Sequence, residues 1–369
     1  MHDTRVSLDA HCLRARQLAA QWFLESGIQE SFGGVARYYR SDLRRNYRVS
    51  TEITGYAAST LVWLHRLNGD QRLLEAALRA GNFLIRHAWE RSGALFPFEY
   101  AQDGDYAEPL AYFFDNGIVL RGLLALWRAT GEAEFLETAR RTGAAMAEDF
   151  RAAFGYHPVL SLPDKAPVAP DTRWSRNPGC YHLKAALAWR ELDEVQESAA
   201  FRSHCERLLE YALATHEQFL GDCLDPSIMD RLHAYCYFLE GLAPFLDRAE
   251  CLRAFWEGIQ RAAGVLEAVA PQFERCDARA QLLRLRLIAQ AQGLAAWESA
   301  ELEREAVRLL EFQLLDPDPH LYGGFRFGRR GAEWLPYVNP YSTAFSIQAL
   351  EMGRLCGAGR PQLAWQDLI

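Results

Sequence analysis

Nowhere in this sequence do 18 apolar residues run together without charge, so no segment reads as a membrane span. Cys-x-x-Cys pairs are absent too. The eight cysteines (Cys12, Cys180, Cys205, Cys223, Cys236, Cys251, Cys276 and Cys356) are scattered, mostly over helical segments. They read as small buried thiols rather than disulfide partners or zinc ligands, and no metal or other cofactor is expected. The first twenty residues carry Asp3, Arg5, Asp9, Arg14 and Arg16 with no apolar h-region or cleavage site. That pattern is not a signal peptide and, with reduced thiols, points to a cytoplasmic protein. Basic excess is lacking: 40 Lys and Arg face 48 Asp and Glu, a net charge of -8 that argues against nucleic acid as a partner. Strand-like alternation is scarce, with only short β-like pieces in loops such as residues 95–100.

What the chain does have is one phrase repeated six times: an apolar helix, a short polar turn, a second helix, then a long aromatic loop. Asp115-Asn116-Gly117 opens the clearest copy, which turns at Gly131-Glu132 and resumes from Phe135 to Phe150. Gly55-Tyr56 opens an earlier one, with its turn at Asn68-Gly69-Asp70. Apolar periodicity and turn signals place a first helix over about 8–24 and hairpins over about 54–88, 115–150, 178–216, 230–268 and 278–315. A last helix runs from Tyr341 to Leu355, as apolar as an internal one. An open solenoid would need polar caps, so the last helix is expected to pair with the first. The fold expected is therefore all-α: a single domain over residues 1–369, twelve helices in six pairs, with the terminal helices closing the ring.

The two helices of a pair differ. First helices carry small and apolar residues all round, such as Ala57 and Ala58, Gly117 and Gly122, or Ala185 and Ala186, and should be buried on every side. Second helices are amphipathic, with Arg72, Glu75, Arg79 and Arg86 on one face. Turns inside a hairpin take two to five residues, whereas loops leading to the next first helix reach about 15 to 28. Long loops in compact domains are usually functional. Chemistry is therefore expected where the first helices begin.

Those beginnings hold Glu52, Thr54, Tyr56, Asp115, Asn116, Arg173, Trp174, Arg176, Tyr181, His182, Asp230, Arg231, His233, Asp277, Asn339, Tyr341 and Ser342. Capping alone accounts for many of the acids and amides, and for Asp277 it suffices. It does not account for Glu52, a poor cap with Thr54 nearby to serve. Nor does it explain Arg173 and Arg176 flanking Trp174 before a helix N-terminus, where the dipole disfavours cations; an ion pair with a neighbouring acid is the plain alternative. The loops add Tyr39, Phe98, Tyr100, Tyr106, Tyr112, Phe113, Trp334 and Tyr337, flat surfaces with polar handles that suit sugar rings. Arginines 37, 44, 45, 48, 173, 176, 231, 326, 329 and 330 crowd the same loops and could draw in an acidic substrate.

Six hairpins with long loops on one side resemble the six-hairpin glycosidase-like (α/α)6 toroids. The pieces that carry the likeness are Phe114-Asp115-Asn116-Gly117, Glu52-Ile53-Thr54-Gly55-Tyr56 and Asn339-Pro340-Tyr341-Ser342. The resemblance covers nearly the whole chain at the level of architecture, and it implies a carbohydrate-active enzyme acting on a small-molecule or oligosaccharide substrate. Helical toroids that cyclise terpenes or lanthionines use an Asp-x-Asp-Asp run or a zinc set, neither of which is present here.

Glycoside hydrolysis needs two carboxyl groups, one protonated and one ionised. Asp115 follows Tyr112-Phe113-Phe114, apolar surroundings that favour its acid form. It is the expected general acid, with Glu52 or Asp230 as its partner. Tyr56, Asn116, Tyr112, Arg173, Trp174, Arg176, Tyr181, His182, Arg231, His233, Trp334, Asn339 and Tyr341 are expected to line the substrate site. An epimerase or lyase would instead use His182, His233 or a tyrosine as base and an arginine to hold the developing anion. A glycan-binding or scaffold ring is the non-catalytic alternative. Oligomeric state is not legible.

Overall fold

A computed structural model of the 369-residue protein describes residues 2–101, 109–153, 155–221, 227–295, 297, 299–359 and 363–369. Tyr106 and Cys223 lie outside the described residues. The remaining seven cysteines form no disulfide among the described residues, and six of them are buried. Among the described residues there are twelve α-helices, and none is long and apolar enough to cross a membrane. The chain divides into two compact units, one of Gln29–Arg37 with Tyr47–Gly221, the other of Met1–Ile28, Tyr38–Asn46 and Asp222–Ile369.

The helices are α1 (His2–Glu25), α2 (Thr51–Asn68), α3 (Gln71–Phe83), α4 (Phe113–Thr130), α5 (Ala133–Asp149), α6 (His182–Gln196), α7 (Ala199–Phe219), α8 (Ile228–Leu242), α9 (Ala249–Val269), α10 (Cys276–Ala291), α11 (Ser299–Leu310) and α12 (Pro340–Gly357). All six expected pairs are present, three in each unit. In the Gln29–Gly221 unit, α2, α4 and α6 pack side by side while α3, α5 and α7 back them. Gly69 and Gly131 end α2 and α4 in left-handed conformations, φ 69° and 75°. Each donates its N–H back to a helix carbonyl, of His65 and Trp127, at 2.8 Å, which is how a glycine turns a helix into the next one.

Small residues set the spacing of the first helices. A Cβ on Gly55 would lie 2.8 Å from Val119 Cα, and one on Gly122 would lie 2.6 Å from the Gly55 carbonyl oxygen. Likewise a Cβ on Gly117 would lie 2.5 Å from that of Ala185. The backbones of α2, α4 and α6 therefore touch, and the starts of the three helices are drawn together. Phe113 anchors α4 from behind, its ring centroid 5.0–5.6 Å from those of Phe150, Tyr156, His182 and Trp189.

The loops ahead of these helices are stitched to one another. Val49–Ser50 pairs with Glu99–Tyr100, and Leu110–Tyr112 pairs with Val159–Ser161. The first of these pairings corrects the expected start of α2. Ser50, held in the strand, accepts from Ile53 N at 3.4 Å and caps the helix. Thr54 lies inside it, its hydroxyl donating to the Ser50 carbonyl at 2.7 Å and accepting from Val35 N at 3.0 Å.

In the other unit α8, α10 and α12 pack in series, α9 and α11 lie behind, and α1 packs on α12 as the sixth pair. Asn339 caps α12, accepting from Ser342 N at 2.9 Å. Gly328–Arg330 pairs with both Phe273–Arg275 and Glu333–Trp334, and Glu274, wholly buried, holds Arg279, Arg308 and Arg329 around it. A buried ion pair, Arg284 with Glu240, joins α10 to α8, and Arg284 also donates to Gln348 Oε1 of α12 at 2.8 Å.

Candidate active site

Glu52 in the first turn of α2 and Asp115 in the first turn of α4 are brought together by the Gly55–Gly122 contact. Asp115 is not a cap; it sits within the helix, buried, and its Oδ2 has no hydrogen-bond partner among the described residues. Burial and the neighbouring Glu52 charge push its acidity well below that of an ordinary aspartate, against the opposing pull of Arg37. Burial also pushes Glu52 up, to about 7, opposed by Arg37 and Lys184. The Glu52 charge thus adds to the rise of Asp115, and the two groups do not titrate independently.

Around the pair stand groups from the stitched loops. Glu99 is buried and takes Arg37 on one oxygen at 2.8 Å and Arg48 on the other at 3.0 Å. Arg37 also lies over the Phe98 ring, 4.8 Å from its centroid. Tyr112 packs against Phe98 at 5.1 Å; burial raises its hydroxyl pKa, Arg176 donates a hydrogen bond to it, and the Asp115 charge bears on it. Tyr181 is buried, raised well above the usual phenol by burial and then by Asp115, and donates to the Asn177 carbonyl at 3.0 Å. Trp174 stands edge-on to Tyr181 at 5.1 Å.

The ion-pair reading of the two loop arginines holds: Asp171 accepts from Arg173 and lies 3.7 Å from Arg176. Tyr56 is buried beneath the Lys184 ammonium, which lies 5.7 Å from its ring centroid.

Asn116 does different work from that expected. Its Oδ1 accepts from Phe96 N at 2.8 Å, and its Nδ2 donates to the carbonyls of Phe96 and Tyr112 at 3.1 and 2.9 Å. The amide is spent on pinning the loop, so Asn116 positions the site rather than lining it. His182 is enclosed, its Nε2 without a hydrogen-bond partner among the described residues, and burial alone drops its pKa to about 3. It packs against Tyr181 and Phe113.

The remaining expected residues belong to the other unit. Asp230 is half exposed and ion-paired with Arg275 at 2.6 Å, which leaves it poorly placed as an apolar-pocket acid. Arg231 is exposed. Asp277 is not the expected cap but lies in the first turn of α10; it accepts from Ala278 N at 2.9 Å, binds the Arg275 guanidinium and lies 3.3 Å from His233 Nδ1, and despite its burial the Arg275 charge holds it below the usual carboxylate range. His233 Nδ1 meets Gln281 Oε1 at 2.7 Å, and burial lowers its pKa to about 4. The nitrogen facing an amide oxygen must carry the hydrogen, so Nε2 is the basic nitrogen. The Tyr341 ring centroid lies 6.0 Å from that of the His233 imidazole. Asn339 is the α12 cap. Trp334 packs on Phe312 with Arg326 and Arg329 over its ring at 5.0 and 5.6 Å. The cationic loops are thus largely neutralised or stacked. Among the described residues no group of three His, Cys, Asp or Glu is placed to hold a metal ion.

Lys184 and Glu99 are the two residues that sequence reasoning passed over. A signal existed for the first: a lone lysine among Leu183, Ala185, Ala186 and Leu187, all buried, must meet a compensating group.

No protein-family model matches the sequence, and no curated protein matches it either. Solved structures do. A cellobiose 2-epimerase from Spirochaeta thermophila superposes with a TM-score of 0.71 at 14% identity, covering 95% of this chain and 98% of that one. A D-mannose isomerase gives 0.66 at 11%, covering 94% and 97%. An unsaturated glucuronyl hydrolase from Streptococcus agalactiae gives 0.63 at 11%, covering 93% and 91%. The chain shares the (α/α)6 toroid fold of these structures. The likeness takes in both units of the chain.

Proposed function

We propose that this protein is a carbohydrate-active enzyme that hydrolyses a glycosidic bond with Asp115 as general acid and Glu52 as the carboxylate that activates water. The observation that supports this most is Asp115, buried beside the half-buried Glu52, with its Oδ2 lacking a partner among the described residues. An acid held protonated near neutrality beside a second carboxyl is the arrangement that glycoside cleavage needs. The Asp115 proton passes to the leaving oxygen as the anomeric C–O bond breaks. Glu52 takes a proton from the water whose oxygen forms the new bond. Phe98, Tyr112 and Trp174 offer faces for sugar rings; Arg173 and Arg176 are already engaged by Asp171, so a uronate-containing oligosaccharide is one substrate class to test beside neutral ones.

The test is a screen of neutral and uronate-containing oligosaccharides read by reducing-end release. Asp115→Asn should cut turnover by at least about 100-fold, and Glu52→Gln comparably, with each variant still folded. Full activity in Asp115→Asn would end the proposal.

His233 supports a second reading, a sugar epimerase or isomerase of the kind among the solved neighbours. Its basic Nε2 and the Asp277–Arg275 pair behind it suit proton abstraction beside a carbonyl. Solvent deuterium appearing in the sugar, with no new reducing end and loss on His233→Asn, would favour this reading over hydrolysis.

A further inference from the structure

His233 and Glu240 stand two turns apart on α8, on one face of the helix. Gln281 and Arg284 stand three residues apart on the neighbouring α10. The four side chains meet in alternation. His233 Nδ1 lies 2.7 Å from Gln281 Oε1, Gln281 Nε2 donates to Glu240 Oε2 at 3.4 Å, and Glu240 Oε1 is ion-paired with Arg284. Glu240, Gln281 and Arg284 have no exposed surface, and His233 is buried. Arg284 is itself pinned, donating to Gln348 Oε1 of α12 at 2.8 Å and to the Ile369 carbonyl at 2.9 Å.

We propose that Glu240 is a positioning residue which, through Gln281, fixes His233 in the tautomer with its hydrogen on Nδ1 and its lone pair on Nε2. A carboxylate paired with a guanidinium has only acceptors to offer, so the Gln281 amide must turn its NH2 towards Glu240. An amide has one donor end and one acceptor end, which leaves its oxygen for His233. Nδ1 must then carry the hydrogen. With Glu240 removed, the amide is able to turn over and either tautomer of His233 finds a partner. Asp277 also lies near Nδ1, at 3.3 Å, but its two oxygens accept from the Arg275 guanidinium and the Ala278 N–H. Nδ1 has one hydrogen to give, and its shorter approach is to Gln281. Asp277 therefore supplies charge, and Gln281 supplies direction. The stake is large, since a histidine base held in the wrong tautomer can lose about ten-thousand-fold in turnover. The catalytic meaning rests on the epimerase reading above; the tautomer does not.

The experiment starts without a substrate. The two ring nitrogens of His233 are observed by 15N NMR in the full chain with labelled histidine, at neutral pH where the ring is uncharged, and assigned with His233→Asn. One nitrogen should resonate as hydrogen-bearing, Nδ1, and the other as bare, Nε2. Asp277→Ala, or Asp277→Ser, removes the other oxygen near Nδ1 and should leave that pattern unchanged. Adding Glu240→Leu with Arg284→Met replaces the ion pair by apolar groups and leaves Gln281 unguided. The two nitrogen signals should then move towards one another, as exchanging tautomers average. Asp277→Ala with Gln281→Leu should do the same with the ion pair in place, so a triple variant that does not fold leaves the test intact. A merely space-filling Glu240 would change stability and not the tautomer. Mixed tautomers in the Asp277 variants alone, or an unmoved pattern once either link is cut, overturn the proposal. No deuterium uptake by any sugar would instead remove the epimerase reading and leave the tautomer result standing.

Discussion

Glu52→Gln should make the protein more stable in alkaline solution and change little in acid. A carboxyl whose folded-state pKa is raised above its unfolded value favours folding only while protonated. Stability is fully present below the unfolded pKa and is lost as pH climbs through the folded one. For Glu52 the window runs from 4.5 to about 7, and at 1.36 kcal/mol per pH unit the loss amounts to roughly 3 kcal/mol. Glutamine resembles the protonated acid in size and hydrogen bonding and cannot ionise, so the variant escapes that loss. Lys184 and Arg37 are buried or half-buried in both forms, and their own desolvation cancels in the comparison. Urea melts of both proteins from pH 4 to pH 9 should coincide near pH 4, diverge through pH 5–7, and run parallel above that. The expected gap, about 3 kcal/mol, corresponds to a melting shift of roughly 4 °C for a chain of this size. A gap independent of pH, or a variant less stable than its parent at pH 8, would refute the electrostatic account of the pair.

Other consequences can be checked in the same way. Gly122→Ala places a methyl against the Gly55 carbonyl, where a Cβ would lie 2.6 Å away; despite the gain in helix propensity the net cost should be about 1–3 kcal/mol in a urea melt, and no loss would mean the helices are not backed together. Truncating Arg284 to Met strands the fully buried Glu240 and should cost about 3–5 kcal/mol, whereas Arg284→Met with Glu240→Leu should recover much of it. His233 should titrate near 4, far below 6.5, with its hydrogen on Nδ1; a 15N NMR midpoint near 6.5 would overturn its assignment as a neutral base. Because the His182 and His233 pKa values are both depressed, to about 3 and about 4, their contribution to stability is present above 6.5 and lost as pH falls towards those values. Acid unfolding should move to lower pH when His182 is replaced by Phe, measured by circular dichroism.

Much of the fold was legible because helix periodicity and turn chemistry are local. Gly69 and Gly131 end their helices where the turn residues placed them, and the apolar girth of α2, α4 and α6 follows from their alanines and glycines. The start of α2 was misplaced at Thr54 because the strand pairing of Ser50 with Glu99 comes from a distant loop. The site was half legible for the same reason. Asp115 and Glu52 stand out by their apolar company and poor capping fit, both visible along the chain. What a polar side chain spends its hydrogen bonds on is not: Asn116 finds Phe96, Asp277 finds Arg275, and Arg37 and Arg48 find Glu99 only once the loops fold back. Lys184 was hidden by habit, since a lysine in a helix ordinarily points to water.

The glycines at 55 and 122 have a chemical meaning beyond packing. Repulsion between two ionised groups falls with distance, so the bare strip of backbone between α2 and α4 acts as a ruler for the acid strength of Asp115. A single methyl added there would push the helices apart and weaken the hold on the proton, with every reactive group left in place. Chemistry in this protein can be retuned from positions that have no side chain at all.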